Sequence, residues 1–154
     1  MSYLKETLQI WSFGLFKVPM ILFLSPKVVS LDEKHIKLKL PLSYKSKNHL
    51  GSMYFGALCA GADLAGGYLA YRLFKLQKKN VSLAFKEFEA KFLKRSEDDT
   101  IFICDQGEMI SEFVDEVMES DERQNRWVNV KAYEERNLDE PVAEFRLLLS
   151  LKRK

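Results

Sequence analysis

From Tyr54 to Phe74 the only charged residues are Asp63 and Arg72, set in a run of apolar and small side chains. Ala57, Ala60, Gly61, Ala62, Ala65, Gly66 and Gly67 crowd its middle. A helix from about Ser52 to Gln77 would be roughly 38 Å long at ~1.5 Å per residue, the width of a small domain. Its small residues lower intrinsic helicity but let other backbone come close, so a curved sheet can wrap around it. The run is long enough to span a bilayer, yet a central Asp63 would cost ~2.5–3.5 kcal/mol on an insertion scale, and a buried helix is the better reading. An acid among apolar residues is either satisfied structurally, by backbone or by Arg72, or kept for chemistry.

The segments around this helix read as strands and two further helices. Leu4, Leu8, Trp11 and Leu15 form one apolar stripe over residues 2–17, an amphipathic helix that Pro19 closes by removing a backbone donor. That stripe is expected to pack on the body of the protein. Strands are expected at 27–31 and at 35–40, where Ile36, Leu38 and Leu40 alternate with Lys37 and Lys39. After the long helix come strands at 81–95, 100–106, 126–136 and 141–152, with turns at 96–99 and 137–140. Met109, Ile110, Phe113, Val114, Val117 and Met118 give another helix one apolar and one acidic face, read as a lid on the edge of the core, with a substrate gate or a partner surface as the alternatives. A long helix placed early and antiparallel strands after it make an α+β chain with one core. We read residues 1–154 as a single domain, with a helical segment at 1–24 and the core at 25–154.

Charge and cysteine content exclude several classes of function. The net charge of +2 conceals a basic stretch at 27–47 and a stretch from Glu97 to Glu122 with eleven acids and no Lys or Arg. The basic residues alternate along a strand and lack stacking aromatics, so a nucleic-acid partner is not expected. Cys59 and Cys104 have neither the number nor the spacing of a disulfide framework. With only His35 and His49 as imidazoles, no metal is assigned, and no other cofactor. The apolar stretch Ile10–Leu24 is interrupted by Lys17 and Pro19 and falls short of the ~20 residues that span a bilayer, so it is expected to stay on a soluble protein, and the two unpaired cysteines suit a reducing cytoplasm. Peripheral membrane docking through Trp11, Phe13 and Phe16 is the lesser alternative.

The loop before the long helix carries the chemistry. Asn48, Gly51 and Gly56, with Asp63 seven residues after Gly56, follow the spacing Asn-x-x-Gly-x-x-His-Gly-Gly and a helical acid. In this the chain resembles the hotdog-fold thioesterases, in the branch typified by phenylacetyl-CoA thioesterases. It departs at Tyr54, where that branch has His, and at Phe55, where it has Gly. The Asn-His-x-Gly sequence with an apolar residue before Gly56 and Ala-Leu after it is similar to an uncharacterised hotdog group.

The resemblance implies an antiparallel sheet wrapped around a long central helix, and an acyl-CoA or other acyl thioester as substrate. It also implies a homo-oligomer, a dimer or dimer of dimers, whose sites lie between subunits. Gly56, in the first helical turn, would supply the oxyanion donor and Asp63 the base or nucleophile, while Asn48 would orient water or the thioester. His49, Gly51, Tyr54 and Phe55 would border the substrate; His49 also reads as a solvent-facing residue, and Asn48 as an ordinary turn residue. Lys91, Lys94 and Arg95 are candidates for the coenzyme A phosphates, or a solvated strand end. Ser52 is expected to cap the helix. A Cys59–His49 nucleophile pair is the weaker enzymatic rival, because an apolar helix raises a thiol's pKa. A non-catalytic acyl-thioester binding protein on the same fold is the alternative to an enzyme.

Overall fold

The computed structural model describes residues 2–154. A six-stranded antiparallel sheet is built from β1 (Lys27–Leu31), β2 (Ile36–Leu40), β3 (Val81–Phe92), β4 (Thr100–Cys104), β5 (Gln124–Glu134) and β6 (Asn137–Arg153), in the order β1-β2-β4-β5-β6-β3. Across it lies α3 (Phe55–Leu76), preceded by α1 (Leu4–Phe16) and α2 (Pro19–Leu24) and followed by α4 (Gly107–Met118).

Period-two burial explains the sheet. Ile36, Leu38 and Leu40 of β2, Val128, Val130 and Ala132 of β5, and Ala143, Phe145, Leu147, Leu149 and Leu151 of β6 are buried, with the alternate residues more open apart from Val142 and Ser150 of β6, which are buried too. Against this layer α3 buries Ala57, Leu58, Gly61, Ala62, Leu64, Ala65, Leu69 and Leu73. The small residues are required by the packing. A Cβ on Gly61 would sit 2.3 Å from the Phe102 ring. The edge of Phe85, on β3, lies against Gly66 and Gly67.

Helix α4 buries Ile110, Phe113, Val114 and Val117 and packs on α3, β5 and β6, as a lid on the core edge. Its first residue backs onto the β1–β2 turn: Gly107 N–H donates to the Lys34 carbonyl at 2.8 Å, and a Cβ there would fall 2.1 Å from the Glu33 carbonyl oxygen. Backbone cannot yield as a side chain can. We therefore expect Gly107→Ala to destabilise the fold by ~1–3 kcal/mol, the scale of overpacking, read as a lowered midpoint in urea unfolding.

Two sequence expectations differ from the structure in their boundaries. The helix expected from about Ser52 begins at Phe55 with Tyr54 as its N-cap, and Ser52 does not cap it. The last turn lies at residues 135–136, and β6 begins at Asn137 instead of Pro141. Pro19 does follow the end of α1, but it also opens α2 as that helix's first residue, where its missing N–H loses nothing.

The stripe on α1 is also reversed. Thr7, Ile10 and Gly14 are the buried residues, while Leu4, Leu8 and Leu15 are exposed. Thr7 Oγ1 accepts the Val28 amide at 3.0 Å, and a Cβ on Gly14 would meet the Leu22 nitrogen at 2.7 Å. Polar and small residues thus face inward because a strand amide and a neighbouring helix need the space. Trp11 is half-buried, donating from Nε1 to the Pro26 carbonyl at 2.7 Å.

Candidate active site

The loop at 46–54 is held by backbone. Tyr54 N–H donates to the Ser46 carbonyl and Met53 N–H to the Ser96 carbonyl, both at 2.8 Å, so the loop is tied to the turn that follows β3. Gly51 adopts φ +82°, a left-handed conformation that favours glycine. Asn48 closes the turn from inside. Its Oδ1 accepts the Leu50 amide at 2.9 Å and the Ser52 amide at 3.2 Å, and its Nδ2 lies 3.1 Å from Ser52 Oγ. Ser52 is buried in this network, which is why it is absent from the helix cap. His49 is exposed at the loop's tip.

From this loop α3 starts with the amides of Phe55, Gly56 and Ala57 in its first turn, where a helix has no internal acceptors for them. The Tyr54 ring folds over this end: Cε1 would lie 2.3 Å from a Cβ on Gly56. Beyond Gly56, Cys59, Ala60, Asp63, Gly67 and Tyr71 form one open stripe along α3, with Tyr68, Arg72, Lys75 and Leu76 also open toward its C-terminal end. Gly56 and Asp63 share this face, ~10 Å apart along the helix axis.

Asp63 makes no ion pair or hydrogen bond with the described residues. Arg72 instead lies 4.0 Å from Glu6. The Asp63 residue is exposed in the single chain, yet desolvation by the surrounding protein raises its pKa above the ordinary aspartate value. The two observations fit a carboxyl open on one side and walled by apolar packing on the others. Burial pushes the nearby Cys59 thiol up as well, which disfavours a thiolate.

Beside this face stands an aromatic wall. Phe55 lies 6.0 Å from Phe92 between ring centroids, Phe92 lies 6.2 Å from Phe145, and Phe88 lies 5.8 Å from Phe145. Phe55, Phe88 and Phe92 are all exposed. Sequence reading missed Phe88 and Phe92. A register shift between Phe85 and Phe88 breaks the strict alternation that would have sorted the faces of β3.

The three candidate cations differ in their surroundings. Lys94 pairs with Glu140 at 3.1 Å, whereas Lys91 and Arg95 are exposed and without ion pairs among the described residues. The Met53–Ser96 bond brings this strand end to the loop.

β3 itself is a 12-residue edge strand that pairs only with β6. A long edge with exposed Phe residues is a template for another strand, and proteins rarely leave one uncovered.

Comparison of this architecture with solved structures finds the same fold. A protein of unknown function from Chlorobaculum tepidum superposes with a TM-score of 0.83 at 15% identity, covering 96% of this chain and 94% of that one. A Pseudomonas aeruginosa protein, described as of unknown function and a probable thioesterase, gives 0.77 at 23% identity over 96% of each chain. A thioesterase from Haemophilus influenzae gives 0.67 at 13% identity, over 86% of this chain and 82% of that one. No curated protein sequence matches. The likeness establishes the hotdog fold, with the sheet wrapped around α3. A model of a domain of unknown function, DUF4442, matches residues 9–147, and the chain belongs to that family.

Proposed function

We propose that the protein hydrolyses acyl thioesters, with acyl-CoA as the substrate class, at sites formed between two copies of the chain. The observation that carries this reading is Asp63: an unpartnered carboxylate with a raised pKa, on the uncovered face of α3. The thioesterases among its structural neighbours support the same reaction class.

Two α3 helices laid antiparallel through their uncovered faces, centred on the small residues Cys59 and Ala60, bring Asp63 of one copy opposite Gly56 of the other. Pairing of two β3 edges would extend the sheet in the same assembly. At such a site, water attacks the thioester carbonyl carbon as Asp63 takes its proton. The Gly56 amide, unpaired at the start of the helix, donates to the developing oxyanion. Collapse breaks the carbon–sulfur bond, and the departing thiolate takes the proton from Asp63. The products are a carboxylic acid and a free thiol.

Asn48 has one Nδ2 hydrogen left after its turn bonds, enough to orient the water or the thioester. Gly51 shapes the loop, and His49 lies at its rim. Tyr54, Phe55, Phe88 and Phe92 offer an apolar wall for the acyl chain. Lys91 and Arg95, with Lys94 behind its pair to Glu140, are the cations for coenzyme A phosphates.

A second reading rests on Tyr54, whose ring covers Gly56 where a carbonyl would approach. If that ring stays in place, the fold would bind an acyl thioester without cleaving it. Assay of thiol release across acyl-CoA chain lengths separates the two. Turnover on medium or long chains supports hydrolysis, and saturable binding without thiol release supports the binding protein. Under the hydrolase reading, Tyr54→Ala should uncover Gly56 and lower KM for bulky acyl groups, measured in the same assay.

A further inference from the structure

The α1–α2 apex presents a surface that the thioester reading leaves unused. Phe16 is 76% exposed, Met20 65% and Phe23 53%, and Val18 between them is also exposed. Single apolar side chains on a surface are ordinary, but a group packed into eight residues marks an interaction site. Tyr44, 89% exposed, belongs to the neighbouring loop.

Along the chain the charges here are one-sided, and the acid that reaches the loop from elsewhere, Asp99, is taken up by the Leu42 amide at 2.8 Å and by Lys39 at 3.7 Å. Lys5, Lys17, Lys27, Lys45 and Lys47 are exposed and form no ion pair among the described residues. Glu6 is the only acid from Met1 to Leu31, and there is none from Lys34 to Ala62. Glu6 is turned toward Arg72, at 4.0 Å. Cations and apolar groups are interleaved: Lys45 Nζ sits 5.4 Å from the centre of the Phe23 ring, and Lys47 Nζ 5.9 Å from that of Tyr44.

We propose that this apex docks the protein on the surface of an anionic lipid bilayer. Phe16, Met20 and Phe23 enter the boundary between headgroups and acyl chains, ~5–10 Å deep, while Lys17, Lys45 and Lys47 meet lipid phosphates. Lysine stems lie along apolar surface and keep their ammonium groups at the headgroups, an arrangement a membrane interface accommodates. A second copy is a poor occupant, because a symmetric contact would bring the unpaired Lys17, Lys45 and Lys47 of both copies together, while the nearest acid to that loop, Asp99, is already engaged by the Leu42 amide and Lys39. Among the described residues no helix is long and apolar enough to cross a membrane, so the contact lies on the bilayer surface. The inference concerns where the protein sits and does not depend on which reaction it performs.

Co-sedimentation with vesicles tests it. The wild type should bind vesicles of phosphatidylcholine mixed with phosphatidylglycerol at least roughly tenfold more tightly than vesicles of phosphatidylcholine alone, and rising salt should weaken the binding. The triple variant F16S/M20S/F23S and the double variant K17E/K45E should each lose roughly tenfold or more. All these side chains are exposed, so both variants should keep the wild-type unfolding midpoint and oligomer mass. No binding to the anionic vesicles, or equal binding by the variants, would overturn the proposal. A change of oligomer mass in either variant would do so too, by assigning the apex to self-association. Equally tight capture by soluble polyglutamate would assign it to an acidic protein partner instead.

Discussion

Asp63→Asn should lower acyl-thioester turnover by roughly 10² or more, the usual scale for a positioned acid–base group. The amide keeps the size of the carboxyl and part of its hydrogen bonding but cannot take a proton from water. The fold should tolerate the change. Desolvation raises the Asp63 pKa, so the folded chain binds this proton more tightly than the unfolded one. The ionised group therefore works against folding: stability falls as pH rises from the unfolded-state pKa through the folded one, and removing the charge should hold or raise Tm at neutral pH. Activity follows the opposite sign. The base must be ionised, so turnover should drop as pH falls through the raised pKa, starting at a higher pH than an ordinary aspartate would give. A variant with intact turnover would make Asp63 structural.

The second large effect is on assembly. The purified protein should sediment at dimer mass or above at micromolar concentration, because a single chain leaves β3 unpaired and the α3 stripe uncovered. Phe88 and Phe92 on that edge should be shielded in the assembly. Charge placed there, as in F88E/F92E, should shift the protein toward monomer and abolish turnover, because Asp63 and Gly56 lose their counterparts and the acyl wall is broken as well, so the sedimenting mass is the readout that tests the assembly. A folded wild-type monomer with full activity would contradict the shared site.

The central helix and the alternating strands were legible because their signals are local. Small residues with one acid mark α3, and period-two burial marks β2, β5 and β6. What misled the reading was decided by distant partners. Ser52 has the chemistry of a cap, but Asn48 engages its amide and hydroxyl, and the helix starts three residues later. The β5–β6 turn falls at Glu135 and Arg136, which carry no turn signature. It is held from the β3–β4 turn instead: Glu135 N–H donates to the Asp99 carbonyl at 2.8 Å and Arg136 N–H to Asp98 Oδ2 at 3.0 Å. On α1, hydrophobic periodicity picked Leu4, Leu8 and Leu15, while contacts with Val28 and Leu22 selected Thr7 and Gly14 for burial. The spacing from Asn48 to Asp63 could be read in the sequence. That Asp63 faces outward from the single chain, beside an open strand edge, could not, because it depends on which side of α3 the sheet covers.

Complementation between two inactive chains tests the shared site most directly. Asp63→Asn removes the base, and Gly56→Val drives a side chain against the Tyr54 ring over the start of the helix, which crowds the carbonyl away from the Gly56 amide. If Asp63 of one copy works with Gly56 of the other, unfolding and refolding the two variants together yields mixed dimers with one intact site each, and about a quarter of wild-type turnover should return. Each variant refolded alone should stay inactive. If the mixture is no more active than the separate variants, while sedimentation with one chain tagged shows that mixed dimers have formed, then Asp63 and Gly56 do not act across two copies of the chain.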